Sequence, residues 1–217
     1  MSASDTLTSL LSEGAVLAVR LGPGENLPGA CLAAARGGIG ALEITLTTPG
    51  ALGAIEALAK ESGVLAGGGT VLTAEDVRNV ARAGGRFALS PVFDPEAADE
   101  ARRANLLYIP GAATPTEILR AHRDGAPVVK FFPSAALGGP AFIRAFRGPF
   151  PGIPILPTSG PTAENLASYF DAGAVAVGVG GAEFFPPGWT AASVEAAARK
   201  VRQALSRVRG RVPPARP

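Results

Sequence analysis

Eight short apolar runs recur along the chain at intervals of about 20 to 25 residues, with helix-like segments between them. They fall at 15–21, 41–46, 63–67, 86–90, 106–110, 127–132, 153–157 and 174–179. Each is too short for a buried helix and is bounded by turn residues, so each is expected to be a strand. The intervening segments carry helix starts. Thr114, Pro115 and Glu117 supply an N-cap, a proline in the first turn and a glutamate three residues after the cap. Thr73 with Asp76, Asp94-Pro95 and Thr48-Pro49 open others in a similar way. Gly37, Gly84, Gly125 and Gly173 stand near the helix ends, where a left-handed residue is tolerated. Strand–helix alternation repeated eight times in 217 residues predicts an α/β fold, a single small (β/α)8 TIM barrel over residues 1–209. A doubly wound open sheet is the competitor, but the usual nucleotide fingerprint is missing from the first βα turn. Residues 210–217 are basic and proline-rich and are expected to fray.

The barrel reading assigns side-chain directions. In 41–46, Leu42, Ile44 and Leu46 share one face, and Glu43 and Thr45 share the other. The apolar face should meet the helices, which turns Glu43 inward. Lys130 shares its face with Val128 and Phe132, and Arg20 with Val16 and Ala18. Three charged residues, all late in their strands, are thus expected to point into the C-terminal mouth, where barrel enzymes keep their active sites.

Lys130 is the unusual member, because it interrupts the apolar run Val128-Val129-Lys130-Phe131-Phe132. Of the 20 basic residues only Lys60, Lys130 and Lys200 are lysines, so a position that needed only charge would more naturally carry arginine. Desolvation should lower the pKa of such an amine and populate its nucleophilic form. A neutral amine condenses with a ketone or aldehyde to an imine, which draws electrons from the adjacent carbon. That chemistry needs a proton shuttle, and Glu43, with its pKa raised by burial, is the candidate. The alternative is a buried Lys130–Glu43 ion pair that only fills the barrel. Arg20 forks two donors and suits a substrate carboxylate; its alternative is to neutralise Glu43.

Gly67-Gly68-Gly69 leaves room for backbone and the Thr70 hydroxyl to approach a ligand. The last two strands end in Thr158-Ser159-Gly160 and Gly178-Val179-Gly180-Gly181, the places where barrels hold phosphate on backbone N–H groups. Glycines needed only for tight turns would read the same way.

The ordered segments Glu43-Ile44-Thr45, Gly67-Gly68-Gly69-Thr70-Val71, Ser90-Pro91, Pro110-Gly111, Thr114-Pro115-Thr116-Glu117, Lys130-Phe131-Phe132-Pro133, Gly148-Pro149-Phe150 and Gly178-Val179-Gly180 resemble the 2-keto-3-deoxy-6-phosphogluconate (KDPG) aldolases. That family includes the 4-hydroxy-2-oxoglutarate (KHG) and phosphogalactonate enzymes. The resemblance spans roughly residues 10 to 205. It implies a metal-free, cofactor-free class I aldolase on a (β/α)8 barrel, usually a homotrimer, that cleaves a keto-acid substrate to pyruvate and an aldehyde. It also implies that Lys130 forms the imine and Glu43 is the acid/base. Thr70, Pro91 and Phe132 would line the site, and Thr158, Ser159, Gly160, Gly180 and Gly181 would hold the phosphate. Thr47 stands where some members carry arginine, which leaves the carboxylate to Arg20. Thr158-Ser159-Gly160 replaces the common T-G-G, and Gly181 stands where a serine or similar residue is usual. Both changes weaken phosphate contacts and favour 4-hydroxy-2-oxoglutarate.

Other features point away from competing classes. Apolar residues make up 47% of the chain and charged residues 18%, which implies a large core and room for a subunit interface. The single Cys31 allows no internal disulfide, no signal peptide is recognisable, and no apolar run reaches the roughly 18 residues of a membrane span. The expectation is a cytoplasmic protein. A lone histidine, His122, expected at the surface, argues against a zinc aldolase, and Cys31 is expected on a helix packed against the core. Trp189 and Phe184-Phe185 should shape either the mouth or an interface. The basic stretch 199–216 interleaves Val201, Ala204, Leu205 and Val208 at helical spacing, so an amphipathic helix is expected rather than a nucleic-acid contact. Phosphosugar isomerisation with Glu43 as base would leave Lys130 without a covalent task. A non-catalytic barrel that binds a phosphorylated acid would not need a deprotonated amine.

Overall fold

The computed structural model describes residues 1–209; the expected tail, 210–217, lies outside the described residues. Helix α1 (Ala3–Glu13) precedes the first strand, and the chain then alternates β1 (Ala15–Val19), α2 (Leu27–Arg36), β2 (Ala41–Thr45), α3 (Ala51–Leu58), β3 (Leu65–Gly69), α4 (Ala74–Arg82), β4 (Phe87–Leu89) and α5 (Pro95–Arg103). β5 (Leu107–Ile109) and β6 (Gly111–Ala112) follow, then α6 (Pro115–Arg123), β7 (Val129–Phe131), α7 (Gly139–Arg147), β8 (Ile155–Pro157), α8 (Leu166–Asp171), β9 (Val177–Gly180) and α9 (Ala191–Arg209). All strand pairings are parallel. Six strands form a half-barrel in the order β5-β4-β3-β2-β1-β9, and three form a second sheet, β6-β7-β8.

The fifth apolar run is thus split in two. Pro110, which has no N–H to give to a ladder, sits between β5 and β6, while its carbonyl accepts from Lys130 N at 2.8 Å. On the other side, Thr158 bridges Gly178, and Val175 N donates to Ile155 O at 3.0 Å, so β8 lies beside β9.

Alternation decides which side chains go where. Leu42, Ile44, Val129 and Phe131 belong to the layer between strands and helices, whereas Val16, Ala41, Leu65, Phe87, Val128 and Leu156 pack with one another on the opposite face. The sequence analysis did not anticipate α1. Its Ser2–Asp5 capping box is intact, and Leu10, with Leu7 and Leu11, closes the N-terminal end of this inner cluster.

Thr73, Asp94 and Thr114 cap α4, α5 and α6 as their sequences imply. Thr48 does not cap α3: that helix starts from Gly50 in the left-handed region, without a side-chain cap, because the Thr48 hydroxyl is engaged elsewhere. Gly84, Gly125 and Gly173 are left-handed, but Gly37 is right-handed and Gly38 makes the turn (φ 99°). His122 is half-buried rather than at the surface, with Nδ1 3.3 Å from Ala126 O. Cys31 is buried in α2, and burial pushes its thiol up to about 12. The basic stretch through Arg209 is α9, which buries Val201, Leu205 and Val208. Among the described residues no helix is long and apolar enough to cross a membrane.

Candidate active site

β2 and β7 present Glu43 and Lys130 on the inner face, above the apolar layer. The side chains are 2% and 6% exposed, and Lys130 Nζ lies 3.5 Å from Glu43 Oε1. This separation is at the outer limit of a hydrogen bond. Glu43 Oε2 is buried and has no partner. Burial raises the Glu43 pKa above its ordinary value, and the attraction of Lys130 and Arg20 only partly offsets it. An ion pair built for stability would engage both carboxylate oxygens; here one is left for a further donor.

Glycines in the neighbouring strands make the space. Glu43 is in register with Gly67, and Thr45 with Gly69. A Cβ on Gly69 would fall on the Glu43 carboxyl, and one on Gly67 would fall on the Phe87 ring. Gly111, paired with Lys130, lies flush against the Pro91 carbonyl, and Gly178 against the Thr158 hydroxyl. The glycine triplet, read from sequence as closing the strand at residue 67, instead continues β3 to Gly69. Gly69 leaves room for the Glu43 carboxyl, and Gly67 and Gly68 for Phe87 and Val80.

The other expected residues are distributed around this pair. The Phe132 ring, half-buried, has its centroid 5.2 Å from Lys130 Nζ. Thr70 is half-buried in the left-handed region (φ 55°), directly after Gly69. Pro91 is half-buried against Gly111. Arg20 follows β1 and is exposed, so it stands at the mouth rather than inside it; its charge still reaches Glu43. No carboxylate among the described residues lies within ion-pair distance of Arg20, which leaves its guanidinium free for an incoming anion.

The two expected phosphate segments are brought together. Thr158 is buried with its Oγ1 unpartnered, Ser159 is exposed at φ 63°, and Gly160 O accepts from Asn165 Nδ2. Gly180 (φ 152°) packs on the Ala18 carbonyl, and Gly181 is exposed at φ 68°. Glu183, which sequence reasoning passed over, joins the two loops by accepting from Ala163 N at 3.0 Å. Burial first, and then Glu164, raises its pKa. Its only sequence signal was an acid close behind a glycine pair. Trp189 shapes this rim, donating from Nε1 to Glu25 and packing edge-on against Phe185.

A cavity of about 420 Å³ lies elsewhere, between α1, α5 and the approach to β7. The charged groups lining it, Arg102 and Asp124, pair with each other, so it offers no free acid or base. Among the described residues, no group of three or more His, Cys, Asp or Glu side chains is placed to hold a metal ion.

Comparison with known proteins agrees with this fold. The family model for KDPG and KHG aldolases matches residues 9–199. The chain is 42% identical over 134 residues to the 2-dehydro-3-deoxy-phosphogluconate aldolase of Treponema pallidum, a match covering 61% of this chain and 64% of that protein. The 4-hydroxy-2-oxoglutarate/2-dehydro-3-deoxyphosphogluconate aldolase structure from TTHB1 superposes with a TM-score of 0.82 at 35% identity, covering 93% of this chain and 98% of that one. The KDPG aldolase of Legionella pneumophila, captured with pyruvate as a covalent carbinolamine, gives 0.74 at 29% identity, covering 91% and 96%. With the family pattern matched across nearly the whole described chain and the same architecture underneath it, the protein belongs to the KDPG and KHG aldolase family.

Proposed function

We propose that this protein is a class I aldolase that cleaves a 2-keto-4-hydroxy acid to pyruvate and an aldehyde through an imine on Lys130. The observation that carries this reading is the buried Lys130–Glu43 pair, with one carboxylate oxygen unpartnered and the carboxyl held above its ordinary pKa. Lys130 Nζ adds to the C2 carbonyl, and Glu43 supplies the proton that lets water leave the carbinolamine. Glu43 then takes the proton of the C4 hydroxyl as the C3–C4 bond breaks. The electron pair of that bond moves into the imine to form an enamine, and the aldehyde departs. Protonation at C3 and hydrolysis release pyruvate and restore the amine. The covalent pyruvate adduct of the Legionella relative supports the first step.

Arg20 takes the substrate carboxylate, and Thr70, Pro91 and Phe132 wall the site. In this reading the half-barrel and the three-stranded sheet together form a closed (β/α)8 barrel, joined at Pro110 and at the Thr158–Gly178 bridge. The far end of the substrate lies between Thr158-Ser159-Gly160 and Gly180-Gly181. Ser159 and Gly181 stand where the family resemblance implies other residues at the phosphate, which weakens phosphate contacts there. The preferred substrate is therefore unphosphorylated 4-hydroxy-2-oxoglutarate, which yields glyoxylate, with 2-keto-3-deoxy-6-phosphogluconate second. Pyruvate release measured from each compound tests the proposal, with Lys130→Arg as the blank. Release from neither, or equal release by the blank, would contradict it. The working form is a homotrimer, a reading supported by the exposed Leu72 and Val92 in adjacent loops after β3 and β4.

A further inference from the structure

Three threonine hydroxyls cluster where β2 ends. Thr45 is the last residue of β2 and shares the inner face with Glu43, about 7 Å further toward the mouth. Its Oγ1 lies 3.0 Å from Thr48 Oγ1 and accepts from Thr47 Oγ1 at 3.3 Å. Thr48 Oγ1 accepts from Leu21 N at 3.3 Å, a link across 27 residues to the turn that carries Arg20. Thr45 and Thr48 are each 3% exposed.

Counting protons gives these groups a capacity that the fold alone does not use. Three hydroxyls carry three protons. Thr47 spends its proton on Thr45, and one more fills the Thr45–Thr48 bond. Whichever way that bond runs, one hydroxyl proton is left, on Thr45 or on Thr48. A buried donor calls for an acceptor; Thr45 stands on the inner face of β2 with Glu43, and Thr48 is tied to the residue after Arg20.

We propose that the Thr45–Thr48 pair belongs to the carboxylate-binding site: it positions Arg20 through the Leu21 N–H and donates its remaining proton to the keto-acid carboxylate. This rests on the aldolase reading, which puts that carboxylate one bond from the carbon held by Lys130. It also accounts for the chain doing without a cation at Thr47: two hydroxyls and a held Arg20 do the work of a second guanidinium.

The test uses borohydride trapping with two ketones, pyruvate and acetone, which differ by the carboxylate. In Thr48→Val the half-saturating concentration of pyruvate should rise about tenfold, because Arg20 loses the hold on its neighbour Leu21 N–H and Thr45 loses the partner that orients its proton. That of acetone should stay unchanged. Thr48→Ser should restore the pyruvate value to within about twofold. In an Arg20→Leu background, Thr48→Val should add less than it does alone, because the two residues act on one group. Thr48→Ala serves the same comparison if valine prevents folding. An unchanged pyruvate value, or an equal loss with acetone, would overturn the inference while leaving the aldolase reading intact. Failure of the unaltered protein to trap pyruvate on Lys130 would overturn both.

Discussion

Glu43 is a carboxyl whose proton the fold retains. Burial raises its pKa above the ordinary value, so between those two values the folded chain binds a proton that the unfolded chain releases. Its contribution to stability is therefore whole below the ordinary carboxylate pKa and declines as pH rises through the raised one. Denaturation by urea at a series of pH values should show this slope, and Glu43→Gln should flatten it; an identical slope in the variant would contradict the assignment. The same substitution should lower kcat by about 10²–10⁴-fold, because the amide cannot shuttle protons. Lys130→Arg keeps the charge but removes the nucleophile, and turnover should fall by at least about a thousandfold. If Lys130 and Glu43 were only an ion pair, that arginine would leave activity nearly intact.

At the scale of elements, the strand–helix rhythm and the caps were legible because each depends on neighbouring residues. Thr73 with Asp76 and Thr114 with Glu117 form their capping boxes as written. Alternation likewise gave the inward direction of Glu43 and Lys130. What depended on partners distant in sequence was not legible. Thr48 read as a helix cap, yet its hydroxyl is held by Leu21 and Thr45, and the helix starts from Gly50. The glycines of β3 read as closing their strand at residue 67, whereas the register carries β3 to Gly69, which yields space to Glu43. Gly69→Ala should therefore cost about 1–3 kcal/mol by overpacking. It should also reduce turnover more than Gly53→Ala on the exposed face of α3, where a Cβ meets nothing. Equal effects would mean that the glycine serves backbone geometry alone.

At the scale of the molecule, the inner apolar layer is closed at one end by α1 and opened at the other by glycines, which places the buried amine near solvent without wetting it. α1 escaped the sequence reading because it falls before the first strand and outside the repeat that organised the rest, although Ser2 and Asp5 carried its signature. The split of the fifth strand was also hidden: Pro110 read as the end of a strand, while its carbonyl in fact serves Lys130 in β7. Leu72 and Val92, exposed on adjacent loops, should be covered in the assembled protein. Light scattering should give three times the 21.8 kDa chain mass, and Leu72→Glu with Val92→Glu should reduce it to one; a monomer in the unaltered protein would contradict the trimer.

The central claim is that Lys130 is the amine that carries the substrate. Incubating the protein with pyruvate and borohydride, digesting it and locating the added mass by peptide mass spectrometry tests this directly. The account predicts one adduct, on Lys130. No adduct, or one confined to Lys60 or Lys200, would contradict it and leave Lys130 as half of a buried ion pair.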